Sequence, residues 1–293
     1  MRVLVTGASG FLGSHVVDAA LARGHTVRTL DTRGWSWRAA EDVEALLGDV
    51  RDPDVVDRAV RDIDAVYHLA AVADLAEANA DPARATDVNV EGTRTVVQAA
   101  RAHGVRRLLL ASSVYVHSRA GGTYRDTKRA AEALVREADD AGLSTTVLRF
   151  GSLYGPRADP GNAVRRILTQ ALTTGRIEFW GDGTEVREYA HVHDAAMLAL
   201  DALADEHAGA VLHLTGRERI TTRELLELVS EMMGGIELHF EDRPFEGRYR
   251  LTPYTLGDAP VELGRTLVGS TYIDLGLGLL QTLQELRTEL APG

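Results

Sequence analysis

The chain has 293 residues, none of them cysteine, and a formal net charge of -11. Without cysteine, disulfides, thiolate metal sites and a cysteine nucleophile are excluded. The bulk negative field repels nucleic acid and anionic membrane surfaces, so neither is an expected partner and any phosphate site must be local. The chain runs from Met1 straight into Arg2-Val3-Leu4-Val5, with no apolar signal region and no stretch approaching a membrane span, which points to a soluble cytoplasmic protein.

Apolar runs that read as buried strands, at 2–6, 26–31, 64–69, 107–113 and 145–150, alternate with helical patterns near 12–23, 53–61, 83–103 and 124–141. Such alternation predicts an α/β fold, a parallel sheet with helices on both faces. Several helices stop at a glycine, as in Arg23-Gly24, His103-Gly104 and Ala141-Gly142. After about Gly151 the rhythm loosens. Loop signals at Tyr154-Gly155-Pro156 and Asp159-Pro160-Gly161 separate helices near 162–175, 191–205, 221–234 and 276–290 from short strands. The division this suggests is a main domain over 1–150 and a smaller α/β substrate-binding region over 151–293, whose pieces can return to the main sheet.

Strand 2–6 runs into Thr6-Gly7-Ala8-Ser9-Gly10-Phe11-Leu12-Gly13, a GxxGxxG spacing where a strand turns into a helix. Glycines there allow a tight turn and close approach to a pyrophosphate, which the N–H groups and dipole of the helix N-terminus attract. The second strand ends at Asp31, 18 residues after Gly13, where a carboxylate can accept both ribose hydroxyls of an adenosine. Together these predict a Rossmann-type, doubly wound sheet that holds a dinucleotide. Asp31 would repel a 2′-phosphate, which favours NAD over NADP, and Arg33 could blunt that repulsion. Asp49-Val50 fits a carboxylate accepting from the adenine amino group; the alternative is a solvated or helix-capping aspartate before 53–61.

Of 32 basic residues only Lys128 is a lysine, and it lies four positions after Tyr124 in Tyr124-Arg125-Asp126-Thr127-Lys128. A compact ammonium can lower the pKa of a neighbouring phenol where a wide guanidinium fork cannot, so a catalytic Tyr/Lys pair is expected on one face of helix 124–141. Strand 107–113 delivers Ser112 and Ser113 at its C-terminal edge, where ligands bind in an open α/β sheet. His191-Val192-His193-Asp194 looks like a metal cluster, but the helical pattern that starts at Asp194 makes that residue an N-cap, and no metal is expected.

With these parts in place the chain resembles the extended short-chain dehydrogenase/reductase family, in its NAD-dependent nucleotide-sugar epimerase/dehydratase branch. The resemblance covers about residues 1–235. It rests on the glycine loop, Asp31, Asp49-Val50, His68-Leu69-Ala70-Ala71, Asn89-Val90-Glu91-Gly92-Thr93, Ser112-Ser113, Tyr124 with Lys128, Arg149 leading to Tyr154-Gly155-Pro156-Arg157, and Gly181-Asp182-Gly183 followed by Arg187-Glu188 and Val192-His193-Asp194.

The resemblance implies NAD held by Gly7, Gly10, Phe11, Leu12, Gly13, Asp31, Asp49, Val50, Leu69, Ala70, Ala71, Asn89, Tyr124 and Lys128. It implies Tyr124 as the base for a sugar hydroxyl, Ser113 as hydrogen-bond partner of that hydroxyl, and Ser152 and Arg187 as substrate contacts, Arg187 to a diphosphate. The plain alternatives are a strand-end serine satisfied by backbone for Ser113, and for Arg187 a surface residue paired with Glu185 or Glu188. Helices 83–103 and 124–141 correspond to the pair that forms a homodimer bundle in the family, or else they simply pack on the sheet.

Two departures shape the expected activity. Only ten residues separate Ser113 from Tyr124, a shorter loop than nucleotide-sugar epimerases usually carry. Val114 and Tyr115 stand where the family's dehydratases and decarboxylases place an acidic residue, so the chemistry should stop at reversible oxidation and reduction. The leading expectation is an epimerase acting at carbon 4 of a UDP-hexose or UDP-hexuronate. A ketoreductase of a nucleotide-linked keto sugar or small ketone is the alternative, and a dinucleotide-binding sensor or scaffold a third.

Overall fold

The computed structural model of the chain describes residues 1–37, 40–241, 247–256, 261–270 and 272–291. The first half alternates as expected: β1 (Arg2–Thr6), α1 (Phe11–Ala22), β2 (Thr26–Asp31), β3 (Glu44–Leu47), α2 (Pro53–Val60), β4 (Ala65–His68), α3 (Leu75–Ala80), α4 (Pro82–Thr86), α5 (Gly92–Ala102), β5 (Arg107–Ser113), α6 (Gly122–Asp140) and β6 (Thr145–Phe150). The second half adds β7 (Ser152–Tyr154), α7 (Ala163–Thr174), β8 (Arg176–Trp180), β9 (Val186–His191), α8 (Val192–Asp201), β10 (Val211–Leu214), β11 (Arg219–Thr221), α9 (Thr222–Met232), β12 (Glu237–Glu241), β13 (Arg265–Thr266) and α10 (Leu275–Leu290).

Among the described residues one sheet has eight strands in the order β13-β10-β6-β5-β4-β1-β2-β3. Every pairing in it is parallel. Helices cover both faces, and the alternation of each strand sorts its side chains between them. Val3 and Val5 of β1 join Val16, Ala20, Ala195 and Ala199 on the face of α1 and α8. Leu4 points the other way, to Val56, Val96, Ala131 and Val135 on the face of α2, α5 and α6. Each valine or leucine among them contributes about 1.5–3 kcal/mol when fully buried. A third cluster, with Leu168, Leu225, Leu279 and Leu283, knits α7, α9 and α10 together. The sheet is a Rossmann-type, doubly wound one, and β10 and β13 bring the C-terminal half back to its edge.

The helix expected over 83–103 runs from Pro82 to Ala102 with a π turn inside it. Asp81 caps α4 with Pro82 at its first turn, Asp87–Glu91 forms a π turn, and α5 starts only at Gly92. The wider turn lets Asn89 face inward, where its Oδ1 accepts from Val72 N at 2.7 Å and its Nδ2 donates to Thr127 Oγ1 at 3.0 Å. Gly92 follows because a Cβ there would lie 2.8 Å from Val50 Cγ2.

Candidate active site

The crossover from β3 to β4 passes over β1 and β2, which makes the C-terminal ends of β1 and β4 the point where the winding reverses and a crevice opens. The glycine loop lies there. Gly7 has φ +67°, and a Cβ on it would stand 2.7 Å from Ala70 N. A Cβ on Gly13 would stand 2.1 Å from the Gly7 carbonyl oxygen. Gly10 caps α1 without a side-chain acceptor, so no side chain covers the first-turn N–H groups of Phe11, Leu12 and Gly13. This cradle of bare backbone fits the pyrophosphate of a dinucleotide.

Asp31 ends β2 beside the cradle, accepting from Ser9 N at 2.9 Å and Arg33 N at 2.8 Å. Those bonds aim the carboxylate and leave it further acceptor capacity. The Arg33 guanidinium stands 3.9 Å away on the surface. Asp49 is held by Arg51 at 2.7 Å, and that hydrogen bond keeps its carboxyl below the usual range. Val50 is buried against Gly92.

After β4, Leu69 N and Ala70 N both donate to Thr6 Oγ1, at 3.2 and 3.3 Å, which seats Leu69 and Ala70 against Gly7, with Ala71 next in the chain. His68 bridges Thr6 and Thr93 at 2.8 and 3.0 Å. Thr93 Oγ1 donates to the Asn89 carbonyl, so it accepts from His68 Nε2–H, which fixes the imidazole tautomer. Asn89 supports the site through Val72 and Thr127.

On the other side of the crevice β5 and α6 meet. Ser113, Tyr124 and Lys128 are all buried. The Tyr124 phenol is hydrogen-bonded to Ser113, which opposes the rise that burial imposes on its pKa. Ser113 Oγ also accepts from Tyr115 N at 3.3 Å. Lys128 Nζ lies 5.9 Å from the Tyr124 ring centre and donates to the Ala111 carbonyl at 3.0 Å. Burial lowers its pKa to about 8, and Glu132 works against that fall.

The short connection closes by a 3-10 turn over Val114–His117 and by left-handed glycines, φ +100° at Gly121 and +51° at Gly122.

Arg187, on β9, is buried. Its Nη1 donates to the Val186 carbonyl at 2.7 Å, and the guanidinium stacks over the Tyr249 ring at 4.1 Å. Glu188, offered as its ion-pair partner, meets Arg219 at 3.7 Å. Tyr249 also hydrogen-bonds Ser152 and packs on Tyr115 with ring centres 5.1 Å apart, and Tyr115 meets Tyr124 at 6.2 Å. An aromatic wall thus runs from Arg187 to the phenol of Tyr124. The sequence reading missed Tyr115 and Tyr249 as site residues. Neither falls in a periodic element, and Tyr115 drew notice only for not being an acid.

The expected N-cap at Asp194 is corrected. α8 starts at Val192 and is capped by His191, whose Nδ1 accepts from His193 N at 3.3 Å, while the Asp194 carboxylate accepts from Ile273 N at 2.7 Å. Among the described residues no three His, Asp or Glu side chains form a metal-ligand group. No helix among them is long and apolar enough to cross a membrane. A cavity of about 620 Å³ lies between β9, β10 and residues 266–269 and 272–275, and neither Ser113, Tyr124 nor Lys128 lines it.

Residues 3–213 match the NAD dependent epimerase/dehydratase family. The dTDP-glucose 4,6-dehydratase of Mycolicibacterium smegmatis is 30% identical over 97% of this chain and 92% of its own length. The 2-alkyl-3-oxoalkanoate reductase of Stenotrophomonas maltophilia is 32% identical over 80% of this chain and 76% of its own. Among solved structures, MoeE5 in complex with UDP-glucuronic acid and NAD superposes with a TM-score of 0.85 at 25% identity, covering 99% of this chain and 100% of that one. The UDP-glucose 4-epimerase of Thermotoga maritima, solved with UDP-glucose, gives 0.83 at 25% identity with the same coverage. With its glycine cradle, Asp31 and the buried Ser113, Tyr124 and Lys128 in one crevice, this chain belongs to the NAD-dependent epimerase/dehydratase family.

Proposed function

We propose that this chain is an NAD-dependent nucleotide-sugar epimerase, acting at carbon 4 of a UDP-hexose or UDP-hexuronate through a transient 4-ketone. One observation carries the choice within the family: beside the Ser113–Tyr124 pair stand Val114, which cannot titrate, and Tyr115, whose phenol burial pushes up to about 12. Neither can move a proton on carbon near neutral pH, which dehydration and the chemistry beside a decarboxylation would ask for. Bound NAD supplies a hydride acceptor that returns what it takes, so the reaction is redox-neutral.

The chain's own residues do the rest. Gly7 to Gly13 hold the pyrophosphate, Asp31 the adenosine ribose, and Asp49 with Val50 the adenine. Tyr124 Oη takes the proton of the sugar hydroxyl as the ketone forms and gives it back when the alcohol is restored. Ser113 hydrogen-bonds the same oxygen, and the Lys128 ammonium favours the phenolate. Ser152 and Arg187 hold the nucleotide diphosphate side. α5 and α6 offer the surface for a homodimer. The protein works in the cytoplasm.

The test is incubation of the protein and NAD with UDP-glucose, UDP-galactose and the matching uronates, followed by proton NMR. Appearance of the 4-epimer with no net NADH is expected. A 4-keto-6-deoxy sugar, or loss of the carboxyl group, sinks the reading.

A second reading is a reductase of a nucleotide-linked keto sugar or small ketone, and the narrowness of the space beside Arg187 favours its small-ketone form. The gap among Val114, Gly151, Arg187 and Tyr249 measures about 10 Å³, room for little more than one water until Tyr249 moves. The reductase reading requires stoichiometric consumption of NAD(P)H with a ketone, which the same assay reads at 340 nm.

A further inference from the structure

Helix α6 touches the end of β5 at three successive turns. Tyr124 reaches Ser113, Lys128 reaches the Ala111 carbonyl, and the Glu132 carboxylate accepts from Ser112 Oγ. Glu132 faces β6 as well. Arg149, the direct neighbour of Ser112 across the β5–β6 pairing, donates Nε to Glu132 Oε1 at 2.9 Å and Nη2 to Oε2 at 2.6 Å. Its remaining nitrogen reaches His117 Nε2 at 2.9 Å and the Glu262 carbonyl at 2.6 Å. His117 belongs to the turn that leaves Ser113. One carboxylate–guanidinium pair therefore joins the helix of Tyr124 and Lys128, the strand of Ser113, the strand beside it and the turn beyond.

We propose that Glu132 is a positioning residue for the reacting groups: it locks the register of α6 on the end of β5 and sets a fixed negative charge one turn beyond the Lys128 ammonium. The inference rests on Ser113, Tyr124 and Lys128 being the reacting groups of the proposed function. Stability alone does not account for the pair. Arg149 is 1% exposed and the Glu132 side chain 13%, and removing two charges from water costs several kcal/mol each, which well-packed apolar residues would avoid. What a bidentate pair adds is direction, since two parallel hydrogen bonds fix both planes at once. That matters here because a misplacement of about 1 Å between reacting groups can cost roughly 100-fold in rate.

The charge has its own consequence. The titratable groups facing Lys128 are Tyr124 and Glu132 from α6 and His68 from β4. His68 is enclosed and neutral, its pKa drawn down to about 3 by burial. In the chain by itself burial raises the Tyr124 phenol and keeps it neutral, so it adds no charge beside the ammonium. That leaves Glu132 as the anion that keeps the ammonium charged against its burial.

Because the chain has one lysine, protein grown on ¹³C,¹⁵N-lysine gives a single Nζ resonance, and Lys128 can be titrated directly without any substrate. Glu132→Gln keeps the size and an acceptor for Ser112 but loses the charge. Its Lys128 midpoint should fall by about one pH unit, a tenfold change in proton affinity, and any turnover of UDP-glucose should fall at least tenfold in kcat with KM held within about twofold. An unmoved midpoint in folded Glu132→Gln overturns the proposal. If that variant does not fold, Glu132→Asp, which keeps the ion pair and withdraws the charge by one methylene, should lower the midpoint by a smaller step. No step there overturns it equally. A shifted midpoint in a protein whose wild type turns over no nucleotide sugar supports the role of Glu132 and removes the substrate reading alone.

Discussion

Lys128 and Tyr124 stand one turn apart on the buried side of α6, yet the ammonium spends its hydrogen bond on the Ala111 carbonyl and meets the phenol only across 5.9 Å to the ring centre. In the chain by itself, burial raises the phenol and Ser113 is the group that opposes the rise. In the proposed reaction the ammonium is a nearby point charge in a place where water is excluded. Lys128→Arg keeps the charge but needs room for a planar fork beside β5. It should lower kcat by roughly 100-fold and move the rising limb of the pH profile upward, and Tyr124→Phe should be worse because the base itself is gone. Near-wild-type turnover of Lys128→Arg across pH would show that chance preserved the one lysine.

Asp31 offers a cleaner measurement, because cofactor binding can be followed without knowing the substrate. Its carboxylate is aimed by Ser9 N and Arg33 N. Asp31→Ala should weaken NAD by at least tenfold, about 1.4 kcal/mol, and leave NADP much less affected, since it removes a partner of the ribose hydroxyls and a charge that repels a 2′-phosphate. Titration calorimetry of both dinucleotides decides it. A native preference for NADP of tenfold or more would overturn the role given to Asp31.

Much of this was legible from the sequence because it is written in local patterns. Five strands of the sheet, β1, β2, β4, β5 and β6, were readable from apolar runs such as Arg2–Thr6 and Arg107–Ser113, and the glycine cradle from Gly7, Gly10 and Gly13, whereas the short β3 is not among those runs. What escaped depends on contacts between distant residues. Nothing local in 83–103 announces a π turn, which exists because Asn89 is drawn to Val72 and Thr127. The N-terminus of α8 was placed at Asp194 on residue preference, while the structure caps it with His191 and uses Asp194 to hold Ile273. Tyr249 sits 62 residues after Arg187, and only the fold reveals that it covers the guanidinium.

That stacking makes Arg187 testable apart from the cofactor. Arg187→Ala removes a planar cation that suits bidentate contact with phosphate. Its KM for a nucleotide sugar should rise about tenfold, with bound NAD unchanged and kcat little affected, because the contact is present in ground and transition states alike. Tyr249→Ala, which uncovers the guanidinium, should lower KM or leave it unmoved. An unchanged KM in Arg187→Ala for every nucleotide sugar turned over would return Arg187 to a structural part in the Tyr249–Tyr115 wall.

The buried histidines give a prediction that needs no ligand. Burial draws His68 down to about 3, and His15, His117 and His191 to about 4, from an ordinary value of 6.5. In the unfolded chain these rings take a proton near pH 6.5, whereas in the folded protein they stay neutral until far lower. Between those limits the unfolded state binds more protons, so stability rises with pH. It is fully present above about 6.5 and is lost as pH falls toward 4. The carboxylates held below their usual range, such as Asp49, act in the same direction but only at lower pH, so the interval from pH 7 to 5 isolates the imidazoles. Scanning calorimetry over that interval should show Tm falling by several degrees, given roughly 2–4 °C per kcal/mol for a chain of this size. His68→Gln, with an amide that can face Thr6 and Thr93 but cannot titrate, should start from a lower Tm and lose less of it on acidification. A Tm independent of pH between 7 and 5 would mean that these rings are not enclosed as neutral groups, His68 between its two threonines first among them.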